Sequence, residues 1–293
     1  MAENLPTPAV PDLTSEQVSD RLPGVVLAAV PGCEQGQPPL AVQLLVGGGG
    51  HNDVRRVDTH AGRFVVRRRL PPLSRPGSDA ALELECQRLA ARQGLAPGVV
   101  AAAADASWMV MEFVDGSTWP ENDLATKSCV RRLGARLAQV HSIKIHSGLR
   151  PMDAAAIARE QLQLITSTVA TVGGRKQEAA DLADRAIQLA QILRTSATSR
   201  DMPSCINHGD LQVANLVGPL PVFVDWEYAQ IAAPTYDIAC LMTYYPRLRP
   251  LQAELMAAAG LARPEDLERL ELQQQLFSCL NRLWGIANGL DAG

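Results

Sequence analysis

Three side chains in the last third of the chain have the types and spacing that phosphoryl chemistry uses: Asp210, Asn215 and Asp225. They lie in two short segments, HGDLQVANL (208–216) and FVDWEYA (223–229). Moving a phosphoryl group onto a hydroxyl asks little covalent help of a protein. It asks for a base that orients the acceptor O–H, a divalent cation across the phosphates, and cations that absorb charge. A carboxylate and an amide five residues apart on a tight loop supply two of these parts. Asp210 is expected to take the hydroxyl proton, and Asn215 to offer its carbonyl oxygen to Mg²⁺. Ten residues further on, after the apolar run VFV, Asp225 adds the hard oxygen ligand that Mg²⁺ prefers. A lone Asp–Asn pair would more simply cap a turn. His208, Leu211 and the strand-ending Asp225, all in one register, favour chemistry instead, with the same parts as the loop H-x-D-L-x-x-x-N followed by D-F-G.

The elements that must hold these residues change character along the chain. Residues 1–13 are Pro-rich, and Thr14 with Gln17 forms a capping box for a helix over about 14–22. AVQLLV (41–46), DVRRV (53–57) and RFVVR (63–67), separated by GGGGHN and DTHAG, predict an antiparallel meander. Leu82, Cys86 and Leu89 fall at helical spacing over 79–93, before Gly94. GVVAAAAD and SWMVMEFV then predict two further strands. After Gly116 the pattern turns helical: 123–142, two helices in 152–198 broken at Gly173 and Gly174, and 236–290. Strands first and helices later give an α+β chain of two lobes, 1–115 and 116–293.

Composition removes several other classes. The 293 residues are 47% apolar and 20% charged, an ordinary globular balance with length for a real core. A net charge of −4, with Arg67, Arg68 and Arg69 the tightest cationic run, gives no electrostatic reason to expect nucleic acid. Six widely spaced cysteines without a C-x-x-C pair argue against zinc and disulfides and for free thiols in a reducing cytosol. The N-terminus lacks the apolar core of a signal peptide, and no uncharged apolar run reaches the roughly 18 residues a membrane span needs. A cytoplasmic protein without a membrane partner is expected.

The motif set HGD-x-x-x-x-N, DWEYA and PTYDIA (234–239) resembles the aminoglycoside phosphotransferase/choline kinase superfamily, in its branch of choline and thiamine kinases, over about 40–285. That resemblance implies a protein-kinase-like bilobal fold, a small antiparallel β N-lobe on a mostly helical C-lobe, using ATP and Mg²⁺ to phosphorylate a small alcohol. It implies that Asp237 braces the catalytic loop, although an acid at a helix N-terminus needs no such role. His208 is expected to position the loop, not to shuttle protons. Gly48, Gly49, Gly50 and Asn52 correspond to the hairpin that covers the phosphates, where glycines let backbone N–H groups approach anions. His51 and Arg55 depart from the family pattern there. Arg67 is the candidate cation over the phosphates, with Glu83 or Glu85 as its helical partner. WMVMEFVDG resembles the hinge, with Glu112 and Val114 meeting adenine through their main chains and Met109 and Met111 lining its slot. Both acids of the reaction are present, which sets the chain apart from a pseudokinase, and without an A-P-E motif a protein substrate is not expected.

The acceptor pocket is expected beside Asp210. On the last helix Phe277, Leu280, Asn281 and Trp284 share a face, the first two reading as core. Asn281 and Trp284, with Trp226, Glu227 and Tyr228, would hold a cationic ring by stacking, cation–π attraction and charge. A 4% aromatic content speaks against a full choline cage, and scattered acids speak against an aminoglycoside. RFVVR, SWMVMEF and VDWEYA are similar to bacterial thiamine kinases, so thiamine is the expected acceptor, ahead of choline or ethanolamine and then aminoglycosides.

Overall fold

The structure, a computed structural model, describes residues 22–45, 51–72, 75–167, 175–196 and 204–290. The helix expected over 14–22, the glycines at 48–50 and the break at 173–174 lie outside these residues. The chain forms two compact units, one of residues 1–71 and 99–113, the other of 72–98 and 114–293.

The first unit is built on a five-stranded antiparallel sheet. After the short helix α1 (Gly24–Leu27) come β1 (Ala41–Leu44), β2 (Asn52–Thr59) and β3 (Gly62–Arg69), then β4 (Val99–Ala102) and β5 (Trp108–Glu112). The spatial order is β1-β2-β3-β5-β4, so the predicted meander is extended by a returning hairpin. Alternation sorts each strand's side chains between two faces. Val57 pairs with Phe64 and Arg55 with Val66. These apolar residues meet Leu22, Val26, Val30 and Val110 in one core. The opposite face carries Val54, Arg67 and Met109 in one cross-strand row, with Val65 and Met111 beside them. Arg55, unusual in the family pattern, is buried because Asp53 receives its Nε at 2.8 Å and Arg68 Nη2 at 2.5 Å. Burial alone would raise the Asp53 carboxyl; the bonds from Arg68 and Arg55 hold it below its ordinary value.

In the second unit Asp79 caps α2 (Ala80–Ala91), its Oδ1 accepting the N–H groups of Ala81 and Leu82. A 3₁₀ turn (Glu121–Ala125) leads to α3 (Lys127–His141), and α4 (Ala154–Ser167) and α5 (Lys176–Thr195) follow. Four short strands come next: β6 (Cys205–Asn207), β7 (Leu216–Val217), β8 (Val222–Phe223) and β9 (Gln230–Ala232). β6 pairs with β9 and β7 with β8. The chain closes with α6 (Thr235–Tyr244), α7 (Gln252–Ala258) and α8 (Pro264–Ala287). One core joins α3, α6 and α7 to the short strands; a second, richer in alanine, joins α4, α5 and α8. Gly134 of α3 touches α7 so closely that a Cβ there would stand 2.7 Å from both Ala258 Cβ and the Leu255 carbonyl. No helix among the described residues is long and apolar enough to cross a membrane.

Candidate active site

The segment 205–213 leaves β6 and is held in place by α6. Helix residues three and four apart share a face. Asp237, Cys240 and Tyr244 therefore line one side of α6, and each engages the loop. Asp237 Oδ2 accepts the His208 N–H at 3.1 Å and its Oδ1 accepts the Gly209 N–H at 3.0 Å. The Leu211 N–H donates to Cys240 Sγ at 3.2 Å, and just past the helix Tyr245 Oη accepts the Val213 N–H at 2.8 Å. Asp237 is fully buried and also bonded by His141 Nε2 at 3.0 Å. It braces the loop as well as standing in the first turn of its helix.

Gly209 is required where it stands. Its φ is +78°, and a Cβ would run into the Tyr228 carbonyl oxygen. His208 is a positioning residue: Nε2 meets the Val224 carbonyl at 2.9 Å, and the ring packs edge-on to Trp226 with centroids 4.9 Å apart.

These constraints deliver Asp210, 8% exposed, with its carboxylate fully oriented. Tyr244 Oη donates to Oδ1 at 2.9 Å and Gln212 Nε2 at 3.1 Å, while Asn215 Nδ2 donates to Oδ2 at 3.1 Å. Burial, then the neighbouring Cys240 and Asp210, push the Tyr244 phenol far above its ordinary value, so it is a neutral donor. Asn215 and Asp225 flank the same end of the β7–β8 hairpin, where the Val224 N–H donates to the Asn215 carbonyl at 3.0 Å. The other end is tied down by Trp119, whose indole N–H meets the Gly218 carbonyl at 2.7 Å. Asp225 has φ +63°, a left-handed conformation that aspartate tolerates better than most residues and that turns the chain sharply as it leaves the strand.

The profile of the phosphotransferase enzyme family matches residues 42–272. The chain belongs to this family. It is thus an ATP-dependent phosphotransferase acting on a hydroxyl group. No curated protein sequence matches the chain. Solved structures share the phosphotransferase fold at low identity. A choline/ethanolamine kinase family protein from Mesorhizobium loti is 22% identical over 93% of this chain and 85% of its own, with a TM-score of 0.67. The choline kinase LicA from Streptococcus pneumoniae is 17% identical over 87% and 88%, with a TM-score of 0.63. The GDP complex of an aminoglycoside 2′-phosphotransferase is 19% identical over 85% of each chain, with a TM-score of 0.57.

The expected acceptor residues divide. Trp226 is fully buried, its indole N–H given to the Phe223 carbonyl at 2.8 Å, so it belongs to the core and offers an acceptor no face. This corrects the expectation: in a sharp turn the residue after Asp225 points inward. Phe277 and Leu280 are core, as expected. Trp284 and Asn281 are half-buried, and Trp284 Nε1 donates to Tyr228 Oη at 2.7 Å with the rings at 88°. Tyr228 lies against Gly209, next to Glu227; burial and then Glu227 push its phenol up, so it too stays neutral. In the first unit Asn52 and Arg67 lie on the same sheet face as Met109 and Met111, and Glu112 ends β5. Val114 opens the following stretch of the second unit. Glu83 is 1% exposed, whereas Glu85 is more open and stands 3.5 Å from His146. Tyr244, Tyr245, Cys240, Gln212 and His141 were not among the expected site residues. For Cys240 and Tyr244 the available signal was their spacing of three and seven residues from Asp237 along one helix.

Proposed function

We propose that this phosphotransferase moves the γ-phosphoryl group of ATP to the primary hydroxyl of a small cationic alcohol, with thiamine as the preferred acceptor. The observation that carries the proposal is the Asp210 carboxylate, buried and oriented by three side-chain donors beside Asn215 and the hairpin that ends in Asp225. Asp210 takes the acceptor proton as the hydroxyl oxygen forms its bond to the γ-phosphorus. The bond from that phosphorus to the bridging oxygen breaks, and its electron pair leaves with ADP. Asn215, its amide nitrogen turned to Asp210, and Asp225 offer the hard oxygens that suit Mg²⁺, which would neutralise phosphate charge when bound. Among the described residues no three His, Cys, Asp or Glu side chains gather as a metal site, so nucleotide phosphates would complete the coordination. Arg67, Asn52 and the glycines at 48–50, with the main chains of Glu112 and Val114, are the proposed nucleotide contacts. AMP bound to LicA supports an adenine nucleotide.

For the acceptor, the support is the Tyr228–Trp284 pair with Asn281 nearby on α8 and buried Glu227 adjacent. A flat thiazolium needs one or two stacking partners and a carboxylate, and this group supplies them. Choline and ethanolamine come second, on the names of the structural neighbours. All six cysteines are free and buried, which suits a cytoplasmic setting.

ADP release measured against thiamine, choline, ethanolamine and kanamycin, with Mg²⁺ and ATP, tests the assignment. Saturable release is expected with thiamine, and Asp210→Asn should lower kcat by roughly 10²–10⁴ while ATP still binds. Saturation with choline and silence with thiamine would reverse the acceptor order. Near wild-type turnover of Asp210→Asn would remove the mechanism.

A further inference from the structure

An aspartate side chain has two oxygens and about four lone-pair positions in the plane of the carboxylate. At Asp210 these positions are unequally filled. Oδ1 receives two donors, Tyr244 Oη at 2.9 Å and Gln212 Nε2 at 3.1 Å. Oδ2 receives one short donor, Asn215 Nδ2 at 3.1 Å; the approach of Gln212 Nε2 to it, at 3.5 Å, is the weak arm of a bifurcated bond. We infer that Oδ2 is the atom that takes the acceptor proton, and that Tyr244 is a positioning residue that closes Oδ1 against the acceptor and against water. The inference rests on Asp210 being the base.

Tyr244 is built for this task. Its ring meets Phe277 at 89° with centroids 5.5 Å apart and Tyr245 at 68° and 6.3 Å, so the side chain is wedged between two aromatic neighbours. The helix beneath it is tied to the same loop through Asp237 and Cys240, so hydroxyl and carboxylate are held by one rigid element. Nothing in core packing requires the hydroxyl: phenylalanine would fill the same space. The oxygen is therefore explained by the bond to Asp210. With Oδ1 occupied, an incoming alcohol has one productive orientation, its O–H on Oδ2. The proton then passes to Oδ2 as the oxygen bonds to phosphorus and ADP departs with the electron pair of the broken bond.

The test uses the full chain with the alcohol of the above panel that turns over fastest. Tyr244→Phe is expected to lower kcat roughly tenfold, the worth of one hydrogen bond to a charged group, with the KM for ATP within about twofold and Tm unchanged. Phosphorylated product per ADP should fall below one, because the opened lone pair admits water. Gln212→Ala, at an exposed side chain, should act in the same direction but less, and the double variant should lose more than either. Should Tyr244→Phe fail to fold, Gln212→Ala decides alone. Wild-type kcat and a product-to-ADP ratio of one in these variants, with Asp210→Asn inactive, would overturn the role of Tyr244 and leave the base standing. Turnover retained in Asp210→Asn would overturn both.

Discussion

His208 is fully buried with both ring nitrogens engaged: Nε2 stands 2.9 Å from the Val224 carbonyl and Nδ1 3.3 Å from the Asp210 amide. Only the neutral ring protonated on Nε2 satisfies both, since a second proton would point at another donor. Burial pushes the imidazole below its ordinary value, and the carboxylates of Asp237 and Asp210 oppose that only in part. The unfolded chain therefore binds this proton more readily than the folded one. Stability is complete above about pH 6.5 and is lost as pH falls toward the folded value. Melting temperature should drop between pH 7.5 and 5.5, and His208→Gln should flatten that slope. Parallel slopes in the two proteins would count against it. At this scale the neighbourhood of Asp210, Asn215 and Asp225 was legible in their spacing: Asn215 meets the Asp210 carboxylate, and Asp225 leaves the hairpin that Asn215 enters. The sequence misled at Trp226, expected to stack on a cationic acceptor, because the direction of the turn makes it a core residue. It was silent on Tyr244, whose hydroxyl finds its partner 34 residues away.

The elements themselves were read well wherever periodicity is strong. The strands of the first sheet and helices α2 and α3 fall close to their expected spans, because alternation and an N-cap leave local traces. Of the two-residue strands, β8 was legible as the apolar run VFV before Asp225, whereas β7 leaves no trace beyond its pairing. Contact between helices is equally hidden. Gly134 looks like a weak point in an amphipathic helix, where glycine costs about 1 kcal/mol relative to alanine. Its actual role is to let α3 and α7 approach. Gly134→Ala, favourable for an isolated helix, should instead destabilise the protein by about 1–3 kcal/mol through overpacking. A urea titration checks the sign, and greater stability in the variant would show that α7 yields without cost.

Across the whole molecule the chain passes between its two units three times, after residues 71, 98 and 113, and the family match spans both. Composition and the order of elements made the α+β class legible. Which unit would claim α2 was not, because that depends on contacts with segments far along the chain. The clamp of α6 on the Asp210 loop is the same kind of fact, and it sets a clock. The amides of His208, Gly209, Leu211 and Val213 all donate to side chains 28 to 32 residues later, on α6 or at its end. None of them can meet solvent deuterium while that helix is docked, so their hydrogen exchange should proceed as one group through a single sub-global opening. Rates spread over several decades would mean that the loop frays piecemeal. Common protection would confine motion during turnover to side-chain rotations on the nanosecond scale, with the backbone under Asp210 waiting for events that are far slower.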